Sequence, residues 1–285
     1  MIPELPPSRG PGQDGGRASL LSRFEDVAQD GRFLLGALMP GVGAAVWRSL
    51  ISKLPAVDAL RMQGIFPILR RLVLVGEERS VSVDVPIEYT GAFRFARERG
   101  GDRLFANMWV EARAPIASTF GPPPPADAPR ELVGRVFAEH VLTKPFAAPA
   151  ERRVTRIDAP GLPELPEDEY EFEPAEALYE SAGGPLEPAG EIAFGMMHTD
   201  SNQHVNSLVY PRVFEEMVLR KLGAPKLLAR SIELRWRRPC FAGDRAQIGL
   251  RMIEPRAGET WKAGAVGSFS TDGTKSSCAV KVLFR

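Results

Sequence analysis

The chain has 285 residues, enough for one large domain or two of ordinary size around a real hydrophobic core. Hydrophobic residues make up 44% and charged residues 25%; 36 Lys and Arg balance 36 Asp and Glu, so no basic excess argues for nucleic acid. Two cysteines, Cys240 and Cys278, make no disulfide framework and read as reduced thiols in a cytoplasm. No CxxC or HExxH accompanies the three histidines, His140, His198 and His204, so neither a metal nor another cofactor is expected.

Residues 1–17, rich in Pro and Gly and without the apolar core of a signal peptide, are expected as a disordered tail. The weakly polar stretch Phe33 to Val46 contains Pro40 and three glycines and is too short to span a bilayer, so no membrane span is expected. A helix is predicted over Met39 to Leu54, with Trp47, Leu50, Ile51 and Leu54 at helical spacing. Strand-like runs follow at Ile65 to Val75, Val81 to Ala96, Leu104 to Ala114 and Leu132 to Leu142. Val81, Val83 and Val85 alternate with Ser82 and Asp84, the period of a half-buried strand. Gly121-Pro-Pro-Pro-Pro125-Ala-Asp-Ala-Pro129 interrupts them, since neither a helix nor a central strand accommodates it.

A second interruption runs from about Lys144 to Pro188 and carries the acidic run Glu164 to Glu173. It reads as a surface linker, the acidic run being either solvated or a docking strip for a basic partner. The expected organisation is therefore a unit over 18–145, a linker over 146–188 and a second unit over 189–285. In the second, Glu191 to Met197 is a short apolar run. A helix is predicted from Leu208 to Leu222: Tyr210, Val213, Phe214, Met217, Val218 and Leu222 fall on one face, Arg212, Glu215, Glu216, Arg220 and Lys221 on the other. Gly223 stops it. Strands are predicted at Ile232 to Trp236, Ala246 to Ile253, Trp261 to Phe269 and Ser276 to Phe284, with a hairpin turn at Thr271-Asp-Gly273. Each half thus reads as an α+β unit, one helix wrapped by a mostly antiparallel sheet. The repeat is of fold; no residue-level repeat is evident.

Between the short apolar run and the second helix lies Asp200-Ser-Asn202-Gln-His204-Val-Asn206. Asp200, Asn202 and His204 recur at i, i+2 and i+4, a spacing that points all three to one side of an extended segment. They sit just before a helix N-terminus, whose unpaired N–H groups and positive dipole end polarise a carbonyl and stabilise an oxyanion. Asn202 can donate an N–H. His204 can move a proton near neutral pH. Asp200 can act as a base or orient His204. The plainer reading is a helix cap, with Asn206 or Ser207 at the N-cap.

The run from Phe194 to Tyr210, with Phe214-Glu-Glu216 after it, resembles the signature of acyl-acyl-carrier-protein thioesterases and related hot-dog thioesterases. Ser231-Ile-Glu-Leu-Arg-Trp-Arg-Arg238-Pro-Cys240 resembles the strand that ends in Arg-Arg-Glu-Cys in the plant enzymes. The specific resemblance covers roughly residues 190 to 245. It implies a tandem (double) hot-dog fold, with an N-terminal unit that shapes the acyl site and a C-terminal unit that carries the catalytic groups. The implied activity is hydrolysis of acyl-CoA or acyl-carrier-protein thioesters, with Asp200, Asn202 and His204 catalytic. Asn206, Tyr210, Arg237 and Arg238 are the expected substrate contacts, and Cys240 and His198 are further candidates.

One departure weighs against turnover: Pro239 replaces the family's acidic residue before the cysteine, so Asp200 must serve alone or a glutamate elsewhere must substitute. Cys240 reads equally as a small buried residue, and Met196, Met197 and Met217 as acyl-tunnel lining or plain core. Alternatives to hydrolysis are a non-catalytic acyl-thioester binder and an enoyl-thioester hydratase or dehydratase; hydratases use Asp-x-Asn-Pro-x-His, which this chain lacks. A tandem unit already holds the pairing that single units gain by dimerising, so monomer and homodimer both stay open.

Overall fold

The computed structural model describes residues 2–4, 12–100, 103–119, 121–160, 162, 165, 173–180, 183–272 and 276–285. The chain divides into two compact units, Met1–Phe172 and Glu173–Arg285. In the first, five strands form one antiparallel sheet: β1 (Gly12–Leu21), β2 (Phe66–Gly76), β3 (Pro86–Arg97), β4 (Leu104–Pro115) and β5 (Arg130–Thr143). Their order across the sheet is β1-β3-β4-β5-β2. The helix α1 (Leu35–Lys53) lies on one face, and a shorter helix, α2 (Ala56–Met62), follows it.

Over Val42–Arg48 α1 widens into a π-helical turn. Its core residues Leu38, Val42, Ala45 and Val46 are all buried. A glycine lets it approach the sheet: a Cβ on Gly91 of β3 would stand 2.7 Å from the Val46 Cγ2, a distance side chains do not tolerate. With 19 residues and a mean hydropathy of 1.2, α1 is long and apolar enough to cross a membrane, contrary to the shorter stretch expected, and 56% of it is buried in the protein.

The second unit repeats the plan. A helical turn, α3 (Ala177–Glu180), precedes β6 (Glu187–Ala193), the helix α4 (Val209–Leu222), and β7 (Ala229–Trp236), β8 (Arg245–Ile253), β9 (Ala263–Ser270) and β10 (Cys278–Phe284). The sheet order is β6-β8-β9-β10-β7, all antiparallel. Both sheets therefore arrange their strands as first, third, fourth, fifth, second. Here Gly267 of β9 makes room for Phe214, since a Cβ there would lie 2.5 Å from the Phe214 Cε2. Gly223, at φ 61°, ends α4 in the left-handed region. Pro188 is tolerated because β6 is the last strand on its side of this sheet.

Several expectations need correction. Residues 12–17 are not a tail: they pair with β3, and Asp14 meets the Arg94 guanidinium at 2.8 Å. Residues 1 and 5–11 of the expected tail lie outside the described residues. Val81–Val85 is not a strand, because Asp84 turns at φ 58° and Ser22 takes up the neighbouring backbone: the Asp84 N–H donates to the Ser22 carbonyl at 2.9 Å. The stretch 146–188 contains α3 and the start of β6, and Val154, Ala159 and Leu165 within it are buried. Of the acidic run only Leu165 and Glu173 are described, and the turn expected at Thr271-Asp-Gly273 runs into 273–275, also outside the described residues.

Candidate active site

The loop between β6 and α4 is a tight turn, not an extended segment. A 3-10 turn at Met196–His198 leads to a bridge between Thr199 and Val205. Inside that bridge the Asp200 N–H donates to the His204 carbonyl at 3.2 Å, and the Gln203 N–H to the Asp200 carbonyl at 2.9 Å. Gln203 takes up the reversal at φ 66°. The Asn206 N–H closes the loop on the His198 carbonyl at 2.8 Å.

The first unit makes the same loop. A 3-10 turn at Phe24–Asp26 leads to a bridge between Val27 and Phe33. The Ala28 N–H donates to the Arg32 carbonyl (2.8 Å), the Gly31 N–H to the Ala28 carbonyl (2.9 Å) and the Leu34 N–H to the Asp26 carbonyl (2.8 Å). Gly31 supplies the positive φ, 84°. Position for position, Ala28, Asp30, Arg32 and Leu34 stand where the second unit has Asp200, Asn202, His204 and Asn206. The correspondence runs on into the helices: Leu38, Val42 and Val46 match Tyr210, Phe214 and Val218, all buried.

Within the second loop the side chains divide their work. The Asp200 carboxylate accepts from the Asn202 N–H at 2.9 Å and from the Asn206 side-chain amide at 3.2 Å. Asn206 in turn accepts the Leu208 N–H at 2.9 Å on its side-chain oxygen and the Val209 N–H at 3.0 Å on its carbonyl. The Leu208 and Val209 amides at the helix start are thus already engaged, and Pro211 contributes none. The Asn202 side chain, exposed, and the His204 ring, half-buried, make no hydrogen bond among the described residues. Asp200 and the His204 ring are not bonded to each other.

The other expected residues serve the loop's surroundings. Tyr210 is 1% exposed; its ring packs on Phe194, Trp236 and Phe269, and burial raises its phenol far above the ordinary range. Cys240 is fully buried, its carbonyl accepts the Val205 N–H at 2.8 Å, and burial raises its thiol pKa, the opposite of what activates a nucleophile. The Nδ1 of His198 accepts the Gly195 N–H at 3.0 Å. Arg237 pairs with Glu176 at 3.2 Å, and Arg238 with Asp272 at 2.8 Å. Met196 and Met197 are exposed, while Met217 packs under β6 at Gly190.

Glu215 was assigned by helical spacing to the solvent face of α4. It is half-buried, and burial pushes its carboxyl up to about 7 although Arg212 pulls it down. Its signal was present but easily missed: it stands about 100° round the helix from Phe214, at the edge of the apolar stripe.

No family model matches the chain, and no curated protein matches it. Among solved structures it is similar to an acyl-ACP thioesterase from Bacteroides thetaiotaomicron VPI-5482, at 14% identity and a TM-score of 0.59 over 95% of this chain and 97% of that one. It is also similar to the 12:0-ACP thioesterase from Umbellularia californica, at 16% identity and a TM-score of 0.63 over 94% and 93%. These likenesses show the fold, an α+β tandem of two hot-dog units.

Proposed function

We propose that the chain hydrolyses acyl thioesters, with the loop 199–206 and the start of α4 as its active site. One observation carries the reading: the first unit builds the same loop from Ala28, Asp30 and Arg32, so the loop's backbone does not need Asp200, Asn202 and His204. Groups that a fold does not require, held at a helix entrance with the Asn202 amide and the His204 ring uncommitted, are suited to chemistry. That both solved structures above are described as ACP thioesterases supports the same reading.

In this mechanism water adds to the thioester carbonyl carbon. The Asn202 amide donates to the developing oxyanion, in the role of a preorganised donor. Asp200 fixes the donor's backbone and ties down Asn206. The C–S bond then breaks. His204 and a carboxylate share the protons, one accepting from water and the other giving to the thiolate. The thiol belongs to CoA or to an acyl carrier protein, and Arg237 and Arg238, with side chains 42% and 38% exposed, are the nearby basic groups available to a carrier's phosphate.

The test is turnover of a panel of acyl-CoA and acyl-carrier thioesters by the unsubstituted protein and by Asp200→Ala and His204→Ala. Each substitution is expected to lower kcat by roughly 10²–10⁴-fold, the range of a lost proton-transfer or oxyanion group. Unchanged turnover in both would sink the assignment. A second reading, acyl-thioester binding without turnover, is favoured by Pro239 and by the engagement of both Asp200 oxygens. Calorimetric binding of an acyl-CoA with no thiol released at any pH would select it.

A further inference from the structure

The proposed hydrolysis lacks an uncommitted carboxylate. Asp200 already accepts on both oxygens, and Pro239 can neither ionise nor donate. Glu215 is a carboxylate without such commitments: it makes no hydrogen bond or ion pair among the described residues. It lies on the flank of α4 formed by Leu208, Pro211, Glu215, Leu219 and Leu222, where every other member is apolar and all are at least half-buried. Met217 marks the opposite flank, toward β6, so the Glu215 flank is turned to the β7 side of the sheet. Pro239 follows the end of β7 on that same side.

The first unit shows that the fold does not ask for a charge at this position. Counting on from the shared loop, Glu215 corresponds to Gly43 of α1, where nothing lies within 4 Å of the place a Cβ would occupy. A lone carboxylate on an apolar flank is a cost to stability, and such costs gather at functional sites. Six residues beyond Val209, the Glu215 Cα stands about 9 Å along the axis from the helix start, and its side chain leans back toward that start.

We infer that Glu215 is the general base of the reaction, a catalytic carboxylate that stands in for the one Pro239 has displaced. The inference rests on the hydrolase reading above. Glu215 takes one proton from water as the water oxygen bonds to the carbonyl carbon, and the carbonyl electron pair moves to the oxygen facing Asn202. When the C–S bond breaks, that proton passes through His204 to the thiolate, leaving a carboxylic acid and a thiol. The β7 and β10 residues turned to α4, Ile232, Leu234, Trp236, Val280 and Val282, carry no charge, and Cys278 beside them is held as the neutral thiol by burial. Among the described residues, Arg212 is the charge that acts on Glu215.

Glu215→Gln and Glu215→Asp test the inference in the full chain. Glu215→Gln is expected to lower kcat by roughly 10²–10⁴-fold with KM changed only a few-fold. The unsubstituted protein is expected to show a rise of kcat/KM with pH near pH 7, Glu215→Gln to abolish it and Glu215→Asp to restore part of it. Both variants are expected to stay folded, since Gln removes a buried charge and Asp keeps the carboxylate. Turnover by the unsubstituted protein, with Glu215→Gln equally fast and its pH profile unchanged, overturns this inference and leaves the hydrolase reading standing. No turnover by the unsubstituted protein overturns both.

Discussion

The two loops that lead into α1 and α4 share a backbone and differ in what they hold. In the first, Asp30 is neutralised by Arg32 at 2.5 Å, which keeps its carboxyl below the usual range, and no side chain caps the helix. That unit does bury polar groups elsewhere: Arg70 with Glu139, Arg94, Asn107 and His140 are all buried. In the second unit the buried polar residues are Arg235, Ser276 and Ser277, and the polar loop faces outward. One scaffold therefore serves two purposes. The backbone bonds that close the two loops are the same, so the loop path tolerates different side chains at the positions of Asp200, Asn202 and His204.

The strongest way to break that comparison is to write the first loop into the second. The triple variant Asp200→Ala, Asn202→Asp, His204→Arg reproduces the side chains of Ala28, Asp30 and Arg32. It is expected to lower turnover by at least roughly 10³-fold, because it removes a donor and a proton carrier together. Folding is expected to survive with a cost within about 1–2 kcal/mol, since the backbone bonds of the loop persist. Thiol release and a thermal melt measure the two effects. A collapsed melt would show that the triad is structural, and the functional argument from the first unit would fail.

Much of this was legible in the sequence, for identifiable reasons. The strands β2, β4, β5, β7 and β8 and the helix α4 follow from apolar periodicity, and the loop stands out because Asp, Asn and His recur at alternate positions. β1 was hidden because Gly12, Gly15 and Gly16 give no strand signal; its pairing is decided by β3, far along the chain. The run Val81 to Val85 carried the alternation of a strand, but a left-handed Asp84 breaks it. The repeat of the loop was invisible because the backbone recurs and the side chains do not: Gly31 and Gln203 reach the same positive φ with different chemistry. Glu215 was misassigned because a helical wheel counts residues and does not show which flank a sheet covers.

A smaller contrast concerns pH, because burial moves His140 of the first unit and Glu215 of the second in opposite directions. Burial lowers the His140 imidazole from 6.5 to about 4, so between those values the unfolded chain binds a proton that the folded chain does not. Its contribution is present above pH 6.5 and lost as the pH falls toward 4, by at most on the order of 3 kcal/mol. Glu215 has the reverse sign. Its folded pKa is raised from 4.5 to about 7, so the folded chain binds the extra proton and ionisation opposes folding as the pH rises through that window. Melts across pH 4 to about 8 separate the two: His140→Gln is expected to flatten the acid limb, and Glu215→Gln to raise stability only above about pH 5. Matching curves for all three proteins would mean that neither group is as buried as its surroundings indicate.

The smallest expected effect tests the helix entrances themselves. α4 depends on Asn206, whose side chain accepts the Leu208 N–H and donates to Asp200, whereas α1 starts at Leu34 with no side-chain bond. Asn206→Leu gives α4 the residue that α1 uses. Loss of the Leu208 bond is expected to cost about 1 kcal/mol, the usual net worth of one hydrogen bond. If the loops are truly interchangeable in backbone, nothing more is lost in stability, and a urea titration would show a shifted midpoint with an unchanged slope. Turnover should fall further than that cost accounts for, because Asp200 loses the amide that holds its second oxygen. A stability loss well beyond about 2 kcal/mol would mean that Asn206 holds the loop in a way Leu34 does not, and that the two entrances are alike only in outline.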